Sequence, residues 1–160
     1  MGSKDSRWDE SLFIGLFRIG VAVVVVALLA ALFKRISGLG AAAIYAATWV
    51  TFLHLCIGEY VLIRYLHARS HVQHALDLMA GLFVLGAVLS FHSTALWCAF
   101  FSGVFAVAVI KYLLVERSTQ SDELSRYARE KIRWESPAVL AFAVLAVVLD
   151  QLPPGSTASV

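Results

Sequence analysis

The stretch Leu12–Phe33 reads LFIGLFRIGVAVVVVALLAALF and carries one charge, Arg18. About 20 consecutive apolar residues, wound as a helix, cross the roughly 30 Å of hydrocarbon in a bilayer. The run therefore predicts a membrane span. Lys34 and Arg35 close it, and Gly38-Leu39-Gly40 breaks the chain before the next apolar run.

The pattern repeats along the chain. Residues 41–66 form a second apolar stretch with Glu59 and Arg64 inside it. Residues 75–91 form a third, apolar after Asp77. Phe91-His92-Ser93-Thr94 then turns the chain tightly into a fourth, 95–115, so spans three and four are antiparallel neighbours. The composition agrees with the runs. Hydrophobic residues make up 60% of the 160 and charged residues 15%, whereas soluble domains run at roughly 45–50% apolar and about 25% charged.

Residues 116–135 break the pattern. The segment is charged, and Asp122, Arg126 and Glu130 alternate in sign along one helix face. It predicts a short charged helix on the cytoplasmic surface. Its basic residues suit a cytoplasmic protein or anionic lipid headgroups. Ser136 and Pro137 then read as an N-cap and first-turn pair, opening a last apolar helix over 136–152. At about 1.5 Å per residue that helix just reaches across a thinned bilayer. The expected fold is therefore an all-α integral membrane protein, a five-span helix bundle in one domain. The alternative is four spans with a re-entrant or interfacial C-terminal helix.

Basic residues gather on one side of this map. With a cytoplasmic N-terminus, Lys4, Arg7, Arg64, Arg69, Lys111, Arg117, Arg126, Arg129, Lys131 and Arg133 are cytoplasmic, against Lys34 and Arg35 opposite. That asymmetry sets the orientation by the positive-inside rule. A plasma (inner) membrane location follows as an expectation, with the C-terminus on the far side. Trp8, Tyr65, Tyr112 and Trp134 fall near the inner interface, and Tyr45, Trp49 and Trp97 near the outer one. The first span is too long, and its flank too acidic at Asp5, Asp9 and Glu10, for a cleaved signal peptide. Met1-Gly2-Ser3-Lys4-Asp5-Ser6 fits the loose myristoylation pattern, but one acyl chain adds little to a multi-span anchor.

Ionisable groups within spans are costly and commonly face protein or a wet cavity. Arg18 in span one and Glu59 in span two lie at matching depths and are candidates to pair. His54 sits about one turn deeper than Glu59 on roughly the same face, so His54, Glu59 and Arg18 form a candidate proton or ion path. Asp77 and Lys111 lie within a turn of span ends, near enough to snorkel to headgroups. With His67, His71 and His74 they line a candidate cytoplasmic mouth. These three histidines, spaced four and three apart, share a helix face and suit zinc or iron. A plain interfacial role or a pH-responsive cluster is the competing reading. Haem b at His54 needs a second histidine at that depth from another subunit. The chain calls for no cofactor outright, and its five histidines are too few for a membrane di-iron oxygenase.

Cys56 and Cys98 are isolated within apolar runs and read as small buried hydrophobes, not a disulfide. No phosphate-binding glycine loop, nucleophile triad, Cys-x-x-Cys or potassium-filter motif occurs, which argues against an enzyme. A net charge of +2 gives no basis for nucleic-acid binding. The expected partners are the bilayer and either further copies of the chain or a larger membrane complex. Ala27/Ala31 and Ala43/Ala47 are small pairs one turn apart that admit close helix contact. The leading functional expectation is a small oligomeric channel-like or transport-type protein handling protons or ions through a polar cytoplasmic vestibule. The alternatives are a non-catalytic accessory or anchoring subunit, and a metal- or haem-binding redox protein.

Overall fold

The computed structural model describes the backbone of residues 4–34, 36, 38–65 and 71–151, and the side chains of these except 4–18, 59–65 and 71. Five α-helices account for the regular structure among them. They are α1 (Lys4–Phe33), α2 (Gly38–Tyr65), α3 (His71–Leu89), α4 (Thr94–Ser118) and α5 (Asp122–Asp150). Four of these contain stretches long and apolar enough to cross a membrane: Gly38–Gly58, Val72–Leu89, Thr94–Ser118 and Asp122–Asp150. In α1 the described apolar stretch is Ile19–Phe33. The architecture is an α-helical membrane bundle.

Large apolar side chains cover its outside, as lipid contact requires. Leu39, Val50, Ile57, Leu82, Leu140 and Val147 are all exposed. Cys56 lies on this outer surface, whereas Cys98 is buried; both are free thiols.

The helix ends follow local chemistry. Ser93 caps α4, its Oγ accepting from the Leu96 N–H at 3.4 Å. Ser121 caps α5 in the same way through the Leu124 N–H. Each hydroxyl satisfies one of the amides that a helix start leaves without an intrahelical acceptor. Thr119, Gln120 and Ser121 are all that separate α4 from α5, so these two helices are forced into an antiparallel hairpin. They form the most extensive helix pair in the bundle.

The charged segment 116–135 is not a helix of its own. Glu116–Ser118 completes α4, and residues 122–135 are the first half of α5. Ser136 and Pro137, expected to open the last helix, lie inside α5. Proline removes one backbone donor, but membrane helices tolerate it where neighbouring helices and Ser or Thr hydroxyls re-satisfy the backbone. Here the Ser136 hydroxyl donates to the Ile132 carbonyl at 2.7 Å, and the proline ring faces outward. The continuous helix is about 43 Å long at 1.5 Å per residue. It holds 29 residues, more than the hydrocarbon core requires.

Helix α4 is central, with α3 and α5 on either side and α1 against α3. The α3–α4 contact is a reciprocal exchange of rings and glycines. Phe100 of α4 lies over Gly86 of α3, and Phe83 of α3 lies over Gly103 of α4. Any Cβ at Gly103 would fall 2.7 Å from the Phe83 ring. Deeper in the core, Trp97 stacks on Phe101 with centroids 4.1 Å apart, and Phe142 of α5 meets both rings. The Trp97 indole N–H donates to Thr48 Oγ1 at 3.0 Å, fastening α2 to α4. Thr48 in turn donates to the Ile44 carbonyl. Trp97 and Tyr112, read above as interfacial aromatics, are thus core residues, 5% exposed each. Their rings find better packing, and Trp97 a hydrogen-bond acceptor, inside the bundle than at its rim.

Gly86→Ala and Gly103→Ala are each expected to cost about 1–3 kcal/mol, the usual range for overpacking a filled interface. Equilibrium unfolding in mixed detergent–SDS micelles reads this directly. Gly20→Ala, where nothing among the described residues lies within 4 Å of the added carbon, is expected to leave the midpoint unchanged or raise it slightly.

Candidate functional site: a buried acid–base cluster

Leu124, Ala128, Lys131, Glu135, Val139, Phe142, Ala146 and Leu149 recur along α5 at steps of four and three. Such spacing keeps residues on one helix face. Leu124 and Ala128 are buried against Ala108, Tyr112 and Val115 of α4. Phe142, Ala146 and Leu149 pack on the Trp97–Phe101 cluster. Lys131 and Glu135 occupy two places in this inward seam, so the helix carries their charges into the bundle.

Their depth follows from a neighbouring bond. Ser102 Oγ donates to the Val139 carbonyl at 3.0 Å, which puts Val139 level with Ser102 of α4. Glu135, one turn earlier, is therefore level with the middle turns of α4. It is 4% exposed.

His54 of α2 completes the group. Its Nε2 lies 3.1 Å from Glu135 Oε1 and 2.9 Å from Lys131 Nζ. Lys131 Nζ itself stands 3.8 Å from Glu135 Oε1, one turn along α5, and 5.7 Å above the Tyr127 ring. One imidazole nitrogen thus faces a cationic donor and an anionic acceptor together. With a proton on Nε2, the ring donates to Glu135; without one, it accepts from Lys131. Either state of Nε2 has a partner, and the tautomer of the ring sets which one it uses. Glu135 Oε2 is buried and has no hydrogen-bond partner among the described residues.

A second pair lies beside the first. Lys111 of α4 is ion-paired with Asp77 of α3, with only 8% and 5% of their side chains exposed. Neither snorkels to a headgroup layer. The Lys111 ammonium also acts on the Glu135 carboxylate through its field. Tyr112 stands between the pairs, edge-on to Tyr127 with centroids 5.9 Å apart. Among the described residues, two carboxylates and two ammoniums come together here. Arg129 and Glu116 form a separate bridge at 2.7 Å on the exposed side of the α4–α5 hairpin.

The candidate residues named from sequence divide accordingly. His54, Asp77 and Lys111 are gathered within this region by three different helices. His74 is half-buried on α3 and makes contacts of its own. The side chains of Arg18, Glu59, His67 and His71 lie outside the described residues. The proposed metal set of His67, His71 and His74 therefore rests on positions of which two are not described. Among the described residues, no group of three or more His, Cys, Asp or Glu side chains is arranged to hold a metal ion.

Lys131 and Glu135 are the members of this cluster that the sequence alone does not single out. They were assigned to a solvated helix because 122–135 is rich in charge. The signal that marks them is the seam itself: Leu124 and Ala128 run in phase with Phe142 and Leu149, and positions 131 and 135 fall between.

Compared with family models, with curated proteins and with solved structures, the chain shows no match. The chemistry of the cluster is therefore the ground for a functional reading.

Removing one member of a buried ion pair strands the other, which costs about 3–5 kcal/mol, whereas replacing both by apolar residues costs far less. Lys111→Met and Asp77→Leu, each of which breaks this buried pair, are each expected to lower the stability of the fold. Unfolding midpoints of the two variants in micelles test this.

Proposed function

We propose that the protein is a small transport-type or channel-like membrane protein that handles protons or small ions through the His54–Lys131–Glu135 cluster. The observation that carries this reading is the position of His54 Nε2 between a lysine ammonium and a glutamate carboxylate at mid-bundle depth. A purely structural ion pair has no need of a third, titratable group shared by both partners. A proton-handling site does need one, because the transferred proton must have a partner before and after the move. His54 is also half-exposed, with 42% of its side chain accessible.

The topology we infer is five spans with the N-terminus cytoplasmic and the C-terminus opposite. The basic residues of 111–133 support it, as does the unbroken α5. In this arrangement the α4–α5 turn is cytoplasmic and the cluster opens toward that side. A single 160-residue bundle encloses little space, and assembly into a homo-oligomer fits the exposed small pair Ala27 and Ala31 on α1.

One observation favours a second reading, an accessory subunit of a larger membrane complex. Arg126, Arg129, Glu130 and Arg133 form an exposed charged face on α5 suited to a partner's polar surface.

Proteoliposomes carrying a pH gradient test the leading reading. Wild type is expected to dissipate the gradient, and Glu135→Gln or His54→Ala to slow the flux by tenfold or more. Wild-type vesicles as tight as protein-free ones would end it. Glu59→Gln belongs in the same series, since Glu59 was placed on this path by its position in α2.

The topology has its own check. In a background of Cys56→Ala and Cys98→Ala, a cysteine at Gln120 is expected to react with an impermeant maleimide from the cytoplasmic side only. A cysteine at Lys34 should react from the other side only. Labelling of both from one side rules the five-span arrangement out.

A further inference from the structure

Helix α2 makes few close contacts with the rest of the bundle, yet its His54 must reach α5 to within hydrogen-bonding distance. Something has to set how closely α2 approaches. Gly58 lies four residues after His54, on the same face of the helix and one turn along. It is buried, and an ideal Cβ built on it falls 2.7 Å from the Tyr112 hydroxyl oxygen. No other described atom outside its own helix lies within 4 Å of that point. One hydroxyl group of α4 therefore sits where any side chain at position 58 would begin.

Tyr112 is poorly placed to give way. It is 5% exposed, lies in the cluster formed by Ala108, Val115, Leu124 and Ala128, and meets Tyr127 edge-on. A Cβ at 58 would have to back off by about 0.7 Å to reach ordinary 3.4 Å contact. A helix is stiff over one turn, so His54 would recede with it. The 3.1 Å contact to Glu135 would then pass beyond hydrogen-bonding range, where such interactions weaken steeply.

We propose that Gly58 is the positioning residue of the acid–base cluster: its missing side chain lets the Tyr112 hydroxyl act as the stop against which α2 seats, and that seating brings His54 onto Glu135 and Lys131. The proposal rests on the reading of His54 and Glu135 as the working pair, but its test does not require any transport. It also assigns Tyr112 a spacer role through its hydroxyl oxygen, separate from the proton-carrying groups.

The full-length chain, labelled with ¹⁵N-histidine and ¹³C-glutamate and reconstituted in bilayers, reports the contact by solid-state NMR. Dipolar dephasing between His54 Nε2 and Glu135 Cδ is read against a His54→Asn blank. Gly58→Ala is expected to lower the dephasing by at least half. Adding Tyr112→Phe, which removes the one described atom outside α2 that the new methyl meets, is expected to restore it. Dephasing unchanged in Gly58→Ala overturns the proposal, as does loss that Gly58→Ala/Tyr112→Phe fails to recover. If Gly58→Ala alone does not fold, the double variant decides: the contact present supports the stop, and the contact absent rejects it. Flux measured on the same samples separates the two claims. Flux that persists when the contact is gone counts against His54–Glu135 as the path and leaves the positioning role standing.

Discussion

Glu135 is a carboxylate 4% exposed, in the middle of a bundle whose outer surface is built for lipid. An unpaired charge taken into such surroundings costs several kcal/mol even after relaxation. The organisation of helices α2 to α5 answers this demand. Lys131 comes from the same helix one turn earlier, His54 from α2, and the field of Lys111 from α4. Asp77 on α3 balances Lys111.

The same demand explains why α5 runs unbroken through Pro137. Lys131 and Glu135 stand on the near side of the proline, and Phe142 with Leu149 on the far side. Only a continuous helix keeps all four in one seam against α4. The aromatic layer at Phe101, Trp97 and Phe142 anchors the far half. The Tyr112–Tyr127 contact anchors the near half, and Glu135 lies between the two anchors. The acid is thereby held by packing on both sides, and its Oε2 has no hydrogen-bond partner among the described residues.

The helices are held in place in different ways. The α3–α4 pair is locked by two rings seated on two glycines, and α4–α5 by its short turn and long seam. Helix α2 packs Tyr45, Trp49, Phe52 and Leu55 on one part of the core and Ile44 and Ala47 on another. It is fixed further by Thr48 on Trp97, His54 on the α5 pair and Gly58 beneath Tyr112. His54 thus rides on a helix whose backbone stands off from the others, while Lys131 and Glu135 ride on the one packed most closely against α4.

The sequence by itself determined that this is a helical membrane bundle, because long apolar runs have no other stable form in lipid. It also determined the antiparallel pairing of α3 with α4, because the Phe91–Thr94 turn is too short for anything else. It marked His54, Asp77 and Lys111, because charge and imidazole within apolar runs stand out in one dimension. What it left open was partnership. Glu135 and Lys131 lie 81 and 77 residues from His54, and no local pattern links them. Their own segment is charged enough to read as solvated, and Ser136-Pro137 resembles a helix start. Only the packing of α5 on α4 decided otherwise, because a helix's inward face is defined by what it is pressed against. The tertiary structure alone therefore turned a charged stretch with a proline into the core of one long helix, and two of its charges into the partners of His54.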